Sequence, residues 1–102
     1  MDIQKLKETA TEYGSHFFDE DAMRFFNSRI LPATYITPGS DGSEVYFVTS
    51  EKHFAGPREY SVRVARFNHK DQTVDIDTVG IFGQDATARD AHKRAKFVAG
   101  IA

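Results

Sequence analysis

The chain has 102 residues, 40% of them hydrophobic and 13% aromatic, with 13 lysines and arginines against 15 acids and no cysteine. That length suits one domain whose core needs neither disulfide nor metal, and the missing cysteines exclude disulfide frameworks, thiol nucleophiles and cysteine-ligated zinc. No stretch reaches the ~20 apolar residues of a membrane span, and no apolar run follows Lys5 and Lys7 as a signal peptide requires, so the expectation is a soluble, cytoplasmic protein.

Charge is unevenly placed. Residues 1–42 carry a net −3 and residues 81–102 a net +2. A dedicated nucleic-acid binder is expected to be clearly basic, because neutralised phosphates supply much of its affinity, and only the C-terminal end qualifies.

In chain order, Asp2 is placed to cap a first helix whose Ile3, Leu6, Ala10 and Tyr13 recur at three- and four-residue spacing, with Gly14 ending it. Asp19 caps a second helix, with Glu20 and Asp21 in the first turn where the dipole favours acids. Phe18 and Met23 are spaced as a hydrophobic staple, Ala22, Phe26 and Ile30 form an inward stripe, and Pro32 stops the helix. The Asp19-Glu20-Asp21 cluster reads as helix-start chemistry or as an acidic docking surface.

Residues 33–37 form a short edge strand, closed by Pro38 and a flexible turn. A firmer strand over residues 44–49 is apolar on both faces, so it is either centrally covered or presents an exposed aromatic surface. The long connection 50–58 holds Lys52, His53, Phe54 and Arg58. Phe54 there either stacks on a base or plugs a partner's pocket, or folds back onto the core.

A hairpin follows, with Tyr60, Val62 and Val64 alternating on one strand and Val74, Ile76 and Thr78 on the next. A five-residue turn at 68–72 puts Val64 opposite Ile76 and Arg63 opposite Asp77 as an exposed cross-strand ion pair. Asp85, or Thr87 with Asp90, caps a last helix. Its apolar line is Ala88, Ala91, Ala95, Val98 and Ala102, and Arg89, His92, Lys93 and Lys96 occupy the other side. The order of elements predicts an α+β domain, with an antiparallel sheet of three or four strands, two N-terminal helices and one C-terminal helix packed on it.

Recognisable active-site patterns are missing. Histidines 16, 53, 69 and 92 have no metal spacing, the glycines form neither GxGxxG nor a P-loop, and no nucleophile elbow surrounds Ser15 or Ser50. Asp75 and Asp77 share a strand face that could hold a divalent cation, though charge pairing with Arg63 competes. The expectation is therefore a non-enzyme without cofactor or metal.

Residues 79–83 with 86–91, entered from two antiparallel strands, are similar to the strand-to-helix corner of AP2-type and integrase-arm-type DNA-binding domains. Double-stranded-RNA-binding domains share the element order, without their lysine-rich helix start here. The blocks at 24–30 (Arg-Phe-Phe-Asn-Ser-Arg-Ile), 46–51 (Tyr-Phe-Val-Thr-Ser-Glu), 60–63 (Tyr-Ser-Val-Arg) and 76–80 (Ile-Asp-Thr-Val-Gly) resemble small uncharacterised proteins of bacteriophages and mobile elements. That resemblance implies a protein that binds a host protein or protein–nucleic-acid complex, such as CRISPR or restriction machinery, and a monomer or homodimer is expected. The expected partner contacts are Asp19, Glu20, Asp21, Lys52, His53, Phe54 and Arg58. The alternative is nucleic-acid binding through Arg63 and Arg66 on the sheet, or Arg89, Lys93 and Lys96 on the last helix.

Overall fold

Helix α1 (Ile3–Glu12) starts where expected, because the Asp2 carboxylate accepts the Lys5 backbone N–H at 2.8 Å. Gly14, at φ +90°, ends it in a left-handed turn that most side chains disfavour. The computed structural model describes residues 1–101. Leu6 and Ala10 are fully buried, and Ile3 and Tyr13 flank them on the same cluster.

Helix α2 (Glu20–Phe25) is much shorter than its apolar stripe suggested. Asn27 turns the chain at φ +48°, and strand β1 (Arg29–Tyr35) takes up Ile30 and Pro32. The β-forming residues here pair with the neighbouring strand, and that pairing overrides the helical spacing. Pro32 lies in an edge strand where the ladder shifts between Ile30 and Thr34, a place where a missing N–H costs little. Asp19 sits at the cap position but makes no side-chain cap; its carboxylate meets His16 Nδ1 at 2.9 Å instead.

Strands β2 (Glu44–Lys52), β3 (Arg58–Asn68) and β4 (Thr73–Val79) complete one antiparallel sheet, ordered β1-β2-β3-β4. On one face Val45, Phe47, Ala65 and Phe67 pack under α1, with Val74 and Ile76 beside them. On the other, Val48 and Val62 meet Ala91 and Ala95 of helix α3 (Ala88–Val98). β2 is thus the centrally covered strand of the two expected alternatives. The fold is α+β.

The β3–β4 register corrects the expected hairpin by one residue. Asn68 pairs with Thr73, leaving a four-residue turn, so Ala65 meets Ile76 and Arg63 meets Thr78. Asn68 is both the last ladder residue and the organiser of the turn: its Oδ1 accepts the Asp71 N–H at 3.1 Å. A one-residue slip exchanges faces, so Arg63 shares its face with Thr78 rather than Asp77.

Thr87 caps α3 by accepting the Asp90 N–H at 3.1 Å. Asp85, the other expected cap, pins the loop instead: it exchanges backbone bonds with Tyr60 and takes Arg94 Nε at 2.9 Å. The expected last residue of the apolar line, Ala102, lies outside the described residues.

Candidate functional site

Alternation along β2 carries Thr49 and Glu51 onto the α1 face beyond Phe47, and β3 brings Ser61 and Arg63 beside them. There the apolar face gives way to a polar network. Glu51 is 1% exposed, and its Oε1 takes Arg63 Nη2 at 3.0 Å and the Thr49 hydroxyl at 2.6 Å. Its Oε2 accepts the Ser61 hydroxyl at 3.1 Å. Arg63 also donates from Nε to Thr49 Oγ1 at 3.0 Å and from Nη1 to Thr78 Oγ1 at 2.6 Å. Its guanidinium lies 5.4 Å from the ring centre of Phe17 and 5.1 Å from that of Phe82, within cation–π range of both.

A buried ion pair is held only when geometry and extra hydrogen bonds offset the lost hydration. Both conditions are met here. The network forms part of the lining of a cavity of about 240 Å³, whose other walls include Phe17, Met23, Phe26 and Phe82.

Phe26 also borders a second, larger hollow of about 480 Å³, with Arg24, Phe25, Lys52, His53 and Phe54 around it. Its position follows from backbone bonds: the Lys52 N–H donates to the Phe26 carbonyl at 2.9 Å, and Arg58 Nη1 donates to the Asn27 carbonyl at 3.0 Å. The Phe26 ring centre lies 4.5 Å from Phe25, 4.7 Å from His53 and 5.6 Å from Phe82. Phe25 is 78% exposed and Phe54 fully so. Phe54 is held at φ +51°, a left-handed conformation costly for a bulky residue.

The two expected contact regions are therefore linked through Arg24. Glu20 and Asp21 bind Arg24 at 3.1 and 3.3 Å, and Arg24 lines the same hollow as Lys52, His53 and Phe54. Asp19 faces away from this, toward His16. Arg58 is tied to Asn27 and to Ser50 Oγ, the latter at 2.8 Å, and acts as a brace. Of the alternative set, Arg63 is locked into the Glu51 pair and Arg66 bonds Asp77 at 2.8 Å, while Arg89, Lys93 and Lys96 stand exposed on α3. The expected Arg63–Asp77 pair is replaced by those two. Among the described residues no three acidic or histidine side chains gather as a metal site, Asp75 and Asp77 included.

Glu51, Phe25, Phe26 and Phe82 were not among the expected site residues, and Phe26, expected on an inward helical stripe, borders both hollows instead. Extending the β2 alternation past Thr49 would have placed Glu51 on the face of Ser61 and Arg63. On the opposite face of the sheet His92 Nδ1 meets the Tyr35 hydroxyl at 2.9 Å; burial, then the nearby Lys96 charge, lower the His92 pKa.

No helix of the described residues is long and apolar enough to cross a membrane. No curated protein and no solved structure matches the chain. A family model does match, from residue 2 to residue 96, and the protein belongs to that family of unknown function (DUF7447).

Proposed function

We propose that this is a non-enzymatic binding protein that docks a protein partner on its aromatic end. The observation that carries this reading is the pair Phe25 and Phe54, exposed beside one hollow with Arg24, Lys52 and His53 around it. Burying a phenylalanine contributes roughly 1.5–3 kcal/mol, so two of them form a hot spot of the size that dominates natural interfaces. Lys52 stands at the rim, while Arg24 is paired with Glu20 and Asp21, so the rim carries both signs and the exposed rings carry the contact. The strained Phe54 backbone supports the same reading, since the strain holds an apolar ring in water.

The resemblance to small phage and mobile-element proteins supplies the context. The partner is a host protein or protein–nucleic-acid complex of a defence system that handles nucleic acid, and docking inhibits it. The test is capture from host lysate, with and without nuclease, by the parent and by a Phe25→Ser/Phe54→Ser variant. A partner retained after nuclease and lost with the variant supports the reading. Capture that the variant leaves undiminished refutes it.

Nucleic-acid binding keeps one supporting observation, the exposed row Arg89, Lys93 and Lys96 on α3. Three phosphate contacts predict a log–log salt slope of about −2.7 on duplex DNA. Arg63 and Arg66 support it less, because each is paired with an acid of the sheet, Glu51 and Asp77.

A further inference from the structure

We propose that the 240 Å³ cavity beside the Glu51–Arg63 pair is a second, separate binding site, for a small uncharged heteroaromatic ring with nucleobase chemistry. Size, charge and hydrogen-bonding capacity lead to that class. The volume falls below the roughly 300–1,000 Å³ of pockets that take drug-sized ligands or cofactors, so one ring system fits and a dinucleotide does not.

Phe17, Phe26 and Phe82 contribute ring faces and edges to the walls, and Met23 adds a polarisable thioether. These surfaces select a flat aromatic occupant. Charge selects further. Glu51 and Arg63 neutralise each other at 3.0 Å, so the pair leaves no net charge to offset the desolvation of an anion or a cation entering the cavity. A neutral ligand meets neither penalty.

Hydrogen-bonding capacity completes the match. Arg63 has five N–H groups, of which Glu51, Thr49 and Thr78 take three. Glu51 accepts three bonds and is 1% exposed, so its carboxylate is satisfied within the network and Arg63 is the charged group that offers donors. Ser28 adds a hydroxyl to the lining. A donor beside an acceptor is complementary to a ring edge with an acceptor beside a donor, as purines and pyrimidines carry.

Amide chemical shifts of the ¹⁵N-labelled protein, titrated with adenosine, guanosine, cytidine and uridine, test this. Benzoate and benzamidine serve as charged-ring controls. At least one nucleoside should give saturable shifts at Phe17, Met23, Phe26, Ser28, Glu51 and Phe82, with the charged rings at least about tenfold weaker. Ala22→Trp fills the cavity from an exposed helix position while leaving Glu51 and Arg63 unsubstituted, and should weaken binding at least about tenfold. The Phe54→Ser variant, which loses a ring outside the cavity lining, should bind the nucleoside as the parent does, which separates this site from the docking surface. Absence of saturation with every nucleoside, equal binding by charged rings, or indifference to Ala22→Trp overturns the proposal.

Discussion

Replacing Glu51 by glutamine keeps the shape of the side chain and removes its charge. The structure sets the cost. The carboxylate is 1% exposed and accepts three hydrogen bonds, one from Arg63 at 3.0 Å. Removing one member of a buried pair leaves an uncompensated charge, at about 3–5 kcal/mol. The Arg63 side chain is 12% exposed beside the cavity, so water can reach it and the lower figure of ~3 kcal/mol applies. With 5–15 kcal/mol typical for a whole domain and about 4–8 °C lost per kcal/mol, the midpoint should fall by about 12–24 °C. The chain has no tryptophan, so urea and thermal unfolding are best followed by far-ultraviolet circular dichroism. The double variant Glu51→Leu/Arg63→Met removes both charges and leaves hydroxyls at ~1 kcal/mol each, so it should cost less than Glu51→Gln alone. A Glu51→Gln variant within ~1 kcal/mol of the parent, or losses in a cycle of the two positions that simply add, would refute the reasoning.

Phe54→Asn should leave stability unchanged or raise it by up to ~1 kcal/mol, since asparagine tolerates φ +51° and the exposed ring buries nothing, while partner capture falls. A lower melting temperature would show that the ring packs. Because the His92 pKa is lowered in the fold, the unfolded chain binds more protons around it. Stability should therefore fall as pH drops below the ordinary histidine range through the depressed value, and His92→Gln should flatten that part of the profile. An unchanged slope in the variant assigns it to other groups. Gly80→Ala should cost about 1–2 kcal/mol, because φ is +83° and the new Cβ overlaps the Gln84 side-chain oxygen and lies 3.1 Å from Arg94 Nη1. A Gln84→Ala background should reduce the penalty; an equal penalty in both would locate the strain in the backbone alone.

The helices α1 and α3 were legible because their buried faces repeat within the helix itself: Leu6 and Ala10 in one, Ala91 and Ala95 in the other. The antiparallel sheet was legible from alternating strands and the turn residues between them, and its order β1-β2-β3-β4 came from the structure. The site was not, for two local reasons. Asn68 looks like a turn residue and acts as the last rung of the ladder, which puts Thr78 in place of Asp77 on the face of Arg63. Ser50-Glu51-Lys52 looks like a polar loop and continues β2, because its partners Tyr60, Glu59 and Arg58 lie beyond the turn. The aromatic end needed Pro32 to be an edge-strand residue, with Asn27 reversing the chain, Phe25 exposed and Phe26 half-buried beside it. Each error concerns a residue whose state is decided by partners distant in sequence.

The Glu51–Arg63 pair stands where the α1 face of the sheet ceases to be apolar, past Phe47 and next to an open cavity. Hydrophobic replacements hold such a position about as well as a buried ion pair does. Stability alone therefore does not account for two charges there; the polar floor they give the cavity does. This separates fold, docking and ligand binding in one variant. Glu51→Leu/Arg63→Met should keep the circular dichroism spectrum and cooperative unfolding of the parent, and should capture the same partner through the untouched Phe25 and Phe54. It should lose saturable binding of the nucleoside that the parent takes. If the double variant binds that nucleoside as tightly as the parent, the ion pair is a packing device and the cavity's chemistry is set by its aromatic walls alone.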